Sequence, residues 1–288
     1  MTIEDSVFVY RLSEGDHLLR HGRYHAHKQN EYEIHYFIEG SGHFLCNKTR
    51  YPISKGKLFL TGPLEFHSII PEPHPTEISW YAFLFSLDET KEADQKLKAS
   101  LNYALASKNT FQTVDTNFRF QFEDLYQLSR SPKQSFKDAA LSLLMSFLWR
   151  WFGQTEELLS SENERNLKKQ TRNGHIDKVH VEKALLYMQK QVRENVKVES
   201  IAKKVDLSTE HFIRIFKNYV HMTPGQYFTR LKIEGASGLL MSSNKNIGEI
   251  SDWFGFENQF HFSKVFRKCT GMSPIEYRKT YLQTFDFS

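Results

Sequence analysis

The side chains best suited to chemistry crowd into the front of the chain, where eight of the 13 histidines fall before residue 75: His17, His21, His25, His27, His35, His43, His67 and His74. On an extended strand His25 and His27 point to one face, because side chains alternate with period two. Glu33, a short turn later, and His67, beyond Gly56 and Gly62, can meet them inside a barrel. Two histidines from one strand, a carboxylate and a third histidine form a nitrogen/oxygen donor set of the kind that holds a divalent transition metal. The same groups suit a small polar ligand in a barrel mouth, since barrels of this size commonly enclose one. The ligand pocket is the preferred reading. It makes His25, His27, Glu33, His35 and His67 candidate effector-binding residues, with no metal, no cofactor and no catalytic residue assigned.

A second chemical set comes in duplicate. Ile201, Ala202, Leu207, Phe212, Arg214, Phe216, Lys217, Pro224 and Tyr227 recur as Ile250, Ser251, Phe256, Phe262, Lys264, Phe266, Arg267, Pro274 and Tyr277, 49 residues later at first and 50 later after a one-residue insertion beyond Leu207. Solenoids need about three or more units to bury a continuous core, so two copies mean a duplicated module. In each copy a short helix, a tight turn and a longer helix follow one another, which is a helix-turn-helix. Ser208 is the expected N-cap of the first long helix. The turns fall at Asp206-Leu207 and Gly255-Phe256, and Gly255 suits a turn with positive φ. The outer faces offer Thr209, Glu210, His211, Arg214 and Lys217 in the first copy, and Asn258, Gln259, His261, Lys264 and Arg267 in the second. Asn and Gln can bond to adenine and Arg to guanine, while Lys264 and Arg267, further along their helix, suit phosphate.

The elements that must position these groups follow from periodicity. Short strands punctuated by Gly and Pro are expected at Val7–Arg11, Tyr32–Glu39, His43–Cys46, Lys57–Leu60 and Ile78–Phe85, as in a sandwich or barrel. Helical spacing begins with Leu97, Leu101, Ala104 and Leu105, continues over Phe118–Leu128 and ends in a helix from about Phe136 to Phe152. Residues 154–174 have mixed charge and no apolar face, as a flexible linker does. A leading helix from His175 to Glu194 then opens the duplicated region. Four segments result: 1–90, an effector-sensing β-barrel; 91–153, helices for packing and dimerisation; 154–174, the linker; and 175–288, the domain with two helix-turn-helix modules.

Two resemblances sharpen this α+β scheme. His25-Ala26-His27, Glu33, Gly40, Gly56, Gly62 and His67 resemble a cupin. Residues 176 to 280 resemble the AraC/XylS-type family of transcription regulators, most specifically over Ile250 to Lys268, Gly271-Met272-Ser273-Pro274 and Tyr277-Arg278. Ser251 stands where alanine is usual in that family, Phe260 where a small polar residue is usual and Lys232 where arginine is frequent. The resemblance implies a linking helix, about Pro224 to Met241, that holds the two modules so that their recognition helices enter successive major grooves.

Composition agrees with such partners. The chain of 288 residues carries a formal charge of +4, and from His175 onward it has 17 Lys+Arg against 12 Asp+Glu, so the basic surplus belongs to the duplicated region. Double-stranded DNA is the expected polyanion. No apolar run is long enough to span a bilayer, which takes about 20 residues, and no secretory leader is evident, so no membrane is expected. The two cysteines, Cys46 and Cys269, form no CxxC pair, and a cytoplasmic location is the natural expectation. The full reading is an effector-responsive transcription activator, not an enzyme, acting as a homodimer, with a sugar as one candidate effector and RNA polymerase as a further partner. The alternative is a metal-dependent cupin enzyme, an oxygenase or isomerase, fused to a DNA-binding domain.

Overall fold

The computed structural model describes residues 1–10, 22–47, 49–71, 78–107, 110–153 and 173–282. They fall into two compact units, one before and one after the 154–172 stretch. The expected linker lies almost entirely outside the described residues, as do His17, His21 and His74.

In the first unit one strand sets the plan. β2 (Glu31–Glu39) is buried on both faces, and its alternation sorts side chains into two environments. Tyr32, Ile34, Tyr36 and Ile38 join an apolar core shared with helices. Glu33, His35 and Phe37 point the other way, where Phe37 meets Phe44 and Phe59. Antiparallel partners hold this register, with Glu33 opposite Thr61 of β5 (Lys57–Thr61) and His35 opposite Ala82 of β7 (Ser79–Ser86). β1 (Thr2–Val9) pairs beyond β7, and β8 (Phe111–Thr113) pairs beyond β5, giving a five-stranded sheet in the order β1-β7-β2-β5-β8. A three-stranded sheet, β4-β3-β6, is formed by β3 (Gly42–Cys46), β4 (Thr49–Ile53) and β6 (His67–Pro71). The first strand begins earlier than its apolar residues suggest and ends at Val9.

Three helices cover the other face of the large sheet: α1 (Glu92–Ala106), α2 (Arg119–Ser129) and α3 (Gln134–Phe152). Phe122 of α2 stacks on Tyr36 with ring centroids 4.1 Å apart, and Phe147 of α3 lies 5.0 Å from Phe122. Sheet and helices therefore share one core, and β8 is a strand inside the stretch where only helices are expected.

The second unit is all helical. α4 (Asn173–Lys190) ends four residues before the expected Glu194 and leads into α5 (Val198–Lys204) and α6 (Thr209–Val220) of the first module. α7 (Pro224–Ser242) starts with Thr223 and Gln226 in a capping box, each side chain bonding the other's backbone N–H. α8 (Ile247–Trp253) and α9 (Gln259–Thr270) form the second module, and α10 (Pro274–Leu282) closes the unit. α7 packs against α6, α8, α9 and α10. Close approach to the second module needs Gly235, where a Cβ would fall 2.6 Å from the Phe254 ring. Arg278 of α10 donates to the Leu240 and Lys245 carbonyls at 3.0 and 2.5 Å, tying α10 to the end of α7. No helix among the described residues is long and apolar enough to cross a membrane.

Candidate ligand site and nucleic-acid interface

The front-half constellation assembles around one carboxylate. Glu33 reaches from β2 into the space between the sheets, where its Oε2 lies 2.8 Å from His27 Nε2, 3.0 Å from His67 Nε2 and 3.4 Å from His35 Nε2. His25 and His67 form an isolated antiparallel bridge, with backbone hydrogen bonds of 3.0 and 2.8 Å. The extended strand expected at His25–His27 is thus reduced to that bridge, yet the two rings still meet, 4.9 Å apart. Ligating atoms from His25, His27, Glu33 and His67 all lie within 4.8 Å of one another. His35 is fully buried, its ring 5.1 Å from Phe44.

Electrostatics set the charge states. Burial depresses the basicity of His25 well below the usual histidine range, with His67 and His27 adding repulsion against only partial relief from Glu33 and the Arg23 carbonyl. Burial would raise the Glu33 carboxyl, but the pull of His35 and His27 and the bonds from His27 and His67 outweigh it and hold that group well below the usual carboxylate range. Two backbone carbonyls fix tautomers. His25 Nδ1 lies 2.7 Å from the Arg23 carbonyl and His67 Nδ1 lies 3.2 Å from the Glu65 carbonyl. A carbonyl only accepts, so each Nδ1 is assigned as the donor, which leaves each Nε2 with its lone pair when the ring is neutral. His67 Nε2 faces Glu33 Oε2 at 3.0 Å.

Sequence reasoning missed the residues that hold this loop. Glu65 accepts from the Gly62 backbone N–H at 2.9 Å and from Asn47 Nδ2 at 3.2 Å. Its Gly62-Pro63-Leu64-Glu65 context is the signal, since a carboxylate three residues after a glycine can close a turn on that backbone N–H.

In the second unit burial orients both long helices. Phe212, Ile215 and Phe216 are buried on α6, and Phe262 and Phe266 on α9. The opposite faces are left outward: Glu210, Arg214 and Lys217 on α6, and Gln259, His261, Lys264 and Arg267 on α9, are exposed. Thr209 and His211 are half-buried, and His211 Nε2 lies 3.6 Å from Asp177 Oδ1 on α4. Asn258 stands just before α9 as its N-cap, with Oδ1 accepting from the Phe260 and His261 N–H groups at 3.0 and 2.8 Å. Both lone pairs of that oxygen are thereby engaged, so Asn258 has only its NH₂ to offer and cannot pair bidentately with adenine. Ser208 caps α6 in the same way, bonding the His211 N–H at 3.3 Å.

Aromatic–cation contacts that no periodicity reveals fix the second module within its unit. Arg193 and Lys245 lie 4.6 and 5.2 Å from the Trp253 ring. Lys232 is buried, its Nζ 5.2 Å from Phe228 and 5.7 Å from Phe256, and burial lowers its basicity despite the nearby Glu194. Gly255 sits against the same groups, since a Cβ there would lie 3.3 Å from the Arg193 carbonyl and 3.4 Å from Lys232 Nζ.

Residues 7–148 match the family described as an AraC-like ligand binding domain, and residues 201–280 match a helix-turn-helix domain. Among known proteins the chain is similar to the raffinose operon transcriptional regulatory protein RafR of Pediococcus pentosaceus, 24% identical over 263 residues that cover 88% of this chain and 86% of the relative. It is also similar to the MmsAB operon regulatory protein of Pseudomonas aeruginosa, 34% identical over 97 residues, 34% of this chain and 33% of that protein. Among solved structures ToxT from Vibrio cholerae has a similar fold, with a TM-score of 0.50 at 13% identity over 95% of this chain and 97% of that one.

Proposed function

Since the chain belongs to the AraC/XylS-type family of transcription regulators, with an N-terminal ligand-binding domain and a C-terminal helix-turn-helix DNA-binding domain, we propose that a small polar molecule bound beside Glu33 controls how the two modules engage DNA. The observation that carries this reading is the convergence of four histidines on one buried carboxylate inside the ligand-binding domain. A ligand changes DNA binding only to the extent that it binds one state of the protein better than another. Sugars are the effector class to try first, because one relative is named for a raffinose operon. The DNA-contacting set comprises Thr209, Glu210, His211, Arg214 and Lys217 on the first module and Asn258, Gln259, His261, Lys264 and Arg267 on the second. The protein acts in the cytoplasm as a homodimer and as an activator that contacts RNA polymerase, without enzymatic activity of its own. Leu141 and Met145 of α3, only partly buried, support a dimer face there, and a dimer on two half-sites gains avidity over one chain.

The test is a thermal-shift screen of mono- and oligosaccharides on the full chain, followed by DNA-binding titrations with each hit. A stabilising sugar that changes affinity for DNA or the preferred half-site spacing, and loses both effects in Glu33→Gln, is the expected result. A stabilising ligand that leaves DNA binding, spacing and transcription unchanged overturns the coupling.

A second reading has its own observation. The cupin resemblance implies a metal, and the donor set fits one: three imidazoles and a carboxylate, with the far nitrogens of His25 and His67 already bonded to backbone carbonyls as metal-bound histidines usually are. His25, His27, Glu33 and His67 would hold a divalent transition ion, which would supply a Lewis-acidic centre for a ligand's oxygen atoms. Elemental analysis of protein purified without chelators then finds near-stoichiometric metal, and added ion at about 100 times its dissociation constant stabilises the fold by about 2.7 kcal/mol. Metal-free protein indifferent to added zinc, manganese and iron would dismiss it.

A further inference from the structure

On the exposed face of α9 one residue does not belong to a polar surface. Phe260, the second residue of the helix, is 78% exposed, more than any other large apolar side chain among the described residues. Packing gives no reason for it, because the inward face of α9 is supplied by Phe262 and Phe266. Its backbone is nevertheless held firmly, since its N–H is one of the two bonded by the Asn258 cap.

Position supplies the reason that packing does not. Phe260, Lys264 and Arg267 follow the i, i+4, i+7 spacing of one helix face. A recognition helix presents its N-terminal residues to base edges in the major groove, while cations further along hold phosphate. The first-turn member of this stripe therefore meets the groove floor, and the only apolar group that unmodified DNA displays there is the C5-methyl of thymine. We propose that Phe260 is a specificity-determining residue that packs on a thymine methyl in the half-site read by α9. The inference rests on α9 being a DNA-reading helix.

The first module shows that this is a choice made by the second. At the equivalent position α6 carries Glu210, at the head of the matching stripe Glu210, Arg214, Lys217. A carboxylate accepts from the N4 amino group of cytosine and has nothing to gain from a methyl. One chain thus presents an apolar reader and an acidic reader at corresponding places, so its two half-modules prefer different bases and the site is not a direct repeat.

The probe is a duplex enriched from a random-sequence pool by the full chain. Each thymine is replaced singly by deoxyuridine, which removes the C5-methyl and keeps the pairing. The wild-type chain should lose about fourfold in affinity at one or two positions, the worth of one methyl-sized apolar group. Phe260→Ala should bind the parent duplex more weakly and ignore deoxyuridine at those positions; where one of those T·A pairs is changed to C·G, methylating the cytosine at C5 should restore part of the wild-type affinity and none of the variant's. Equal deoxyuridine losses in both proteins, or no loss in the wild type, overturn the inference. Lys264→Ala on the same duplex separates the premise from the proposal. A salt slope lowered by about one without any deoxyuridine effect leaves α9 on DNA and removes only the role of Phe260. An unchanged affinity and slope remove α9 from the DNA and the inference with it.

Discussion

The two helix-turn-helix modules meet the same backbone requirement with different residues. Each has a left-handed residue in its turn and another after its second helix: Asp206 at φ 57° and His221 at φ 57° in the first, Gly255 at φ 62° and Gly271 at φ 82° in the second. That conformation costs an ordinary side chain about 1–2 kcal/mol and glycine almost nothing. The first module is therefore the strained copy. Its turn nevertheless closes in the same way, with the Leu207 N–H on the Ala202 carbonyl just as the Phe256 N–H is on the Ser251 carbonyl. Each turn leads into a helix whose buried rings pack on one another, Phe212 with Phe216 in one copy and Phe262 with Phe266 in the other.

If packing dominates, the largest losses come from the matched rings. Phe212→Ala and Phe262→Ala each empty a fully buried site and should destabilise the C-terminal unit by about 3–5 kcal/mol. Because α7 packs on both modules, hydrogen exchange should rise in both copies for either substitution. Exchange confined to the substituted module would show two independent halves and break the comparison.

Next in size is Gly255→Ala. A positive φ and two close neighbours, the Arg193 carbonyl and Lys232 Nζ, act in the same direction, and the expected loss is about 1–2 kcal/mol. Hydrogen exchange of the α8 and α9 amides in the full chain under increasing denaturant checks it. A neutral result would mean that the second turn is no more demanding than the first.

The capping residues differ by about 1 kcal/mol from alanine, and here stability and recognition can be separated. Ser208→Ala and Asn258→Ala should cost the same in stability, whereas Asn258→Ser keeps an oxygen for the Phe260 and His261 N–H groups. Asn258→Ser should then restore thermal stability. If it also restores DNA preference, Asn258 acts by capping. A base preference that stays altered in the serine variant although its stability is restored would give the Asn258 amide a direct contact.

These modules were legible in the sequence because duplication reports itself twice. The positive φ at Gly255 and the cap at Ser208 follow from residues with narrow conformational preferences, while the reach of α7 is what the family resemblance implies. Asn258 is the exception, since Asn serves equally as cap or reader and only the geometry of its Oδ1 decides. The sensor half was readable in outline. β4 has Pro52 and a mostly exposed pattern, and β8 has only three residues, so neither carries an alternation long enough to detect. His25, His27, Glu33 and His67 could be named together from type and order. That Nδ1 of His25 and of His67 turns to a carbonyl depends on the loops of Arg23 and Glu65, which no residue pattern specifies.

The smallest expected effect is also the sharpest for the comparison. Asp206→Gly removes the strain of a left-handed side chain but adds conformational freedom to the unfolded chain, which costs about 0.5–1 kcal/mol. Aspartate tolerates this region better than most residues, so the relief lies toward the lower end of its range. The two terms nearly cancel, with a net gain of about 0.5 kcal/mol in the first module and no change in DNA preference, since Asp206 lies outside the α6 stripe. A gain above about 2 kcal/mol would mean that the first turn is held against greater strain than its φ implies. A loss would mean that the Asp206 side chain supports the turn, and the two copies would then differ in mechanism as well as in residue.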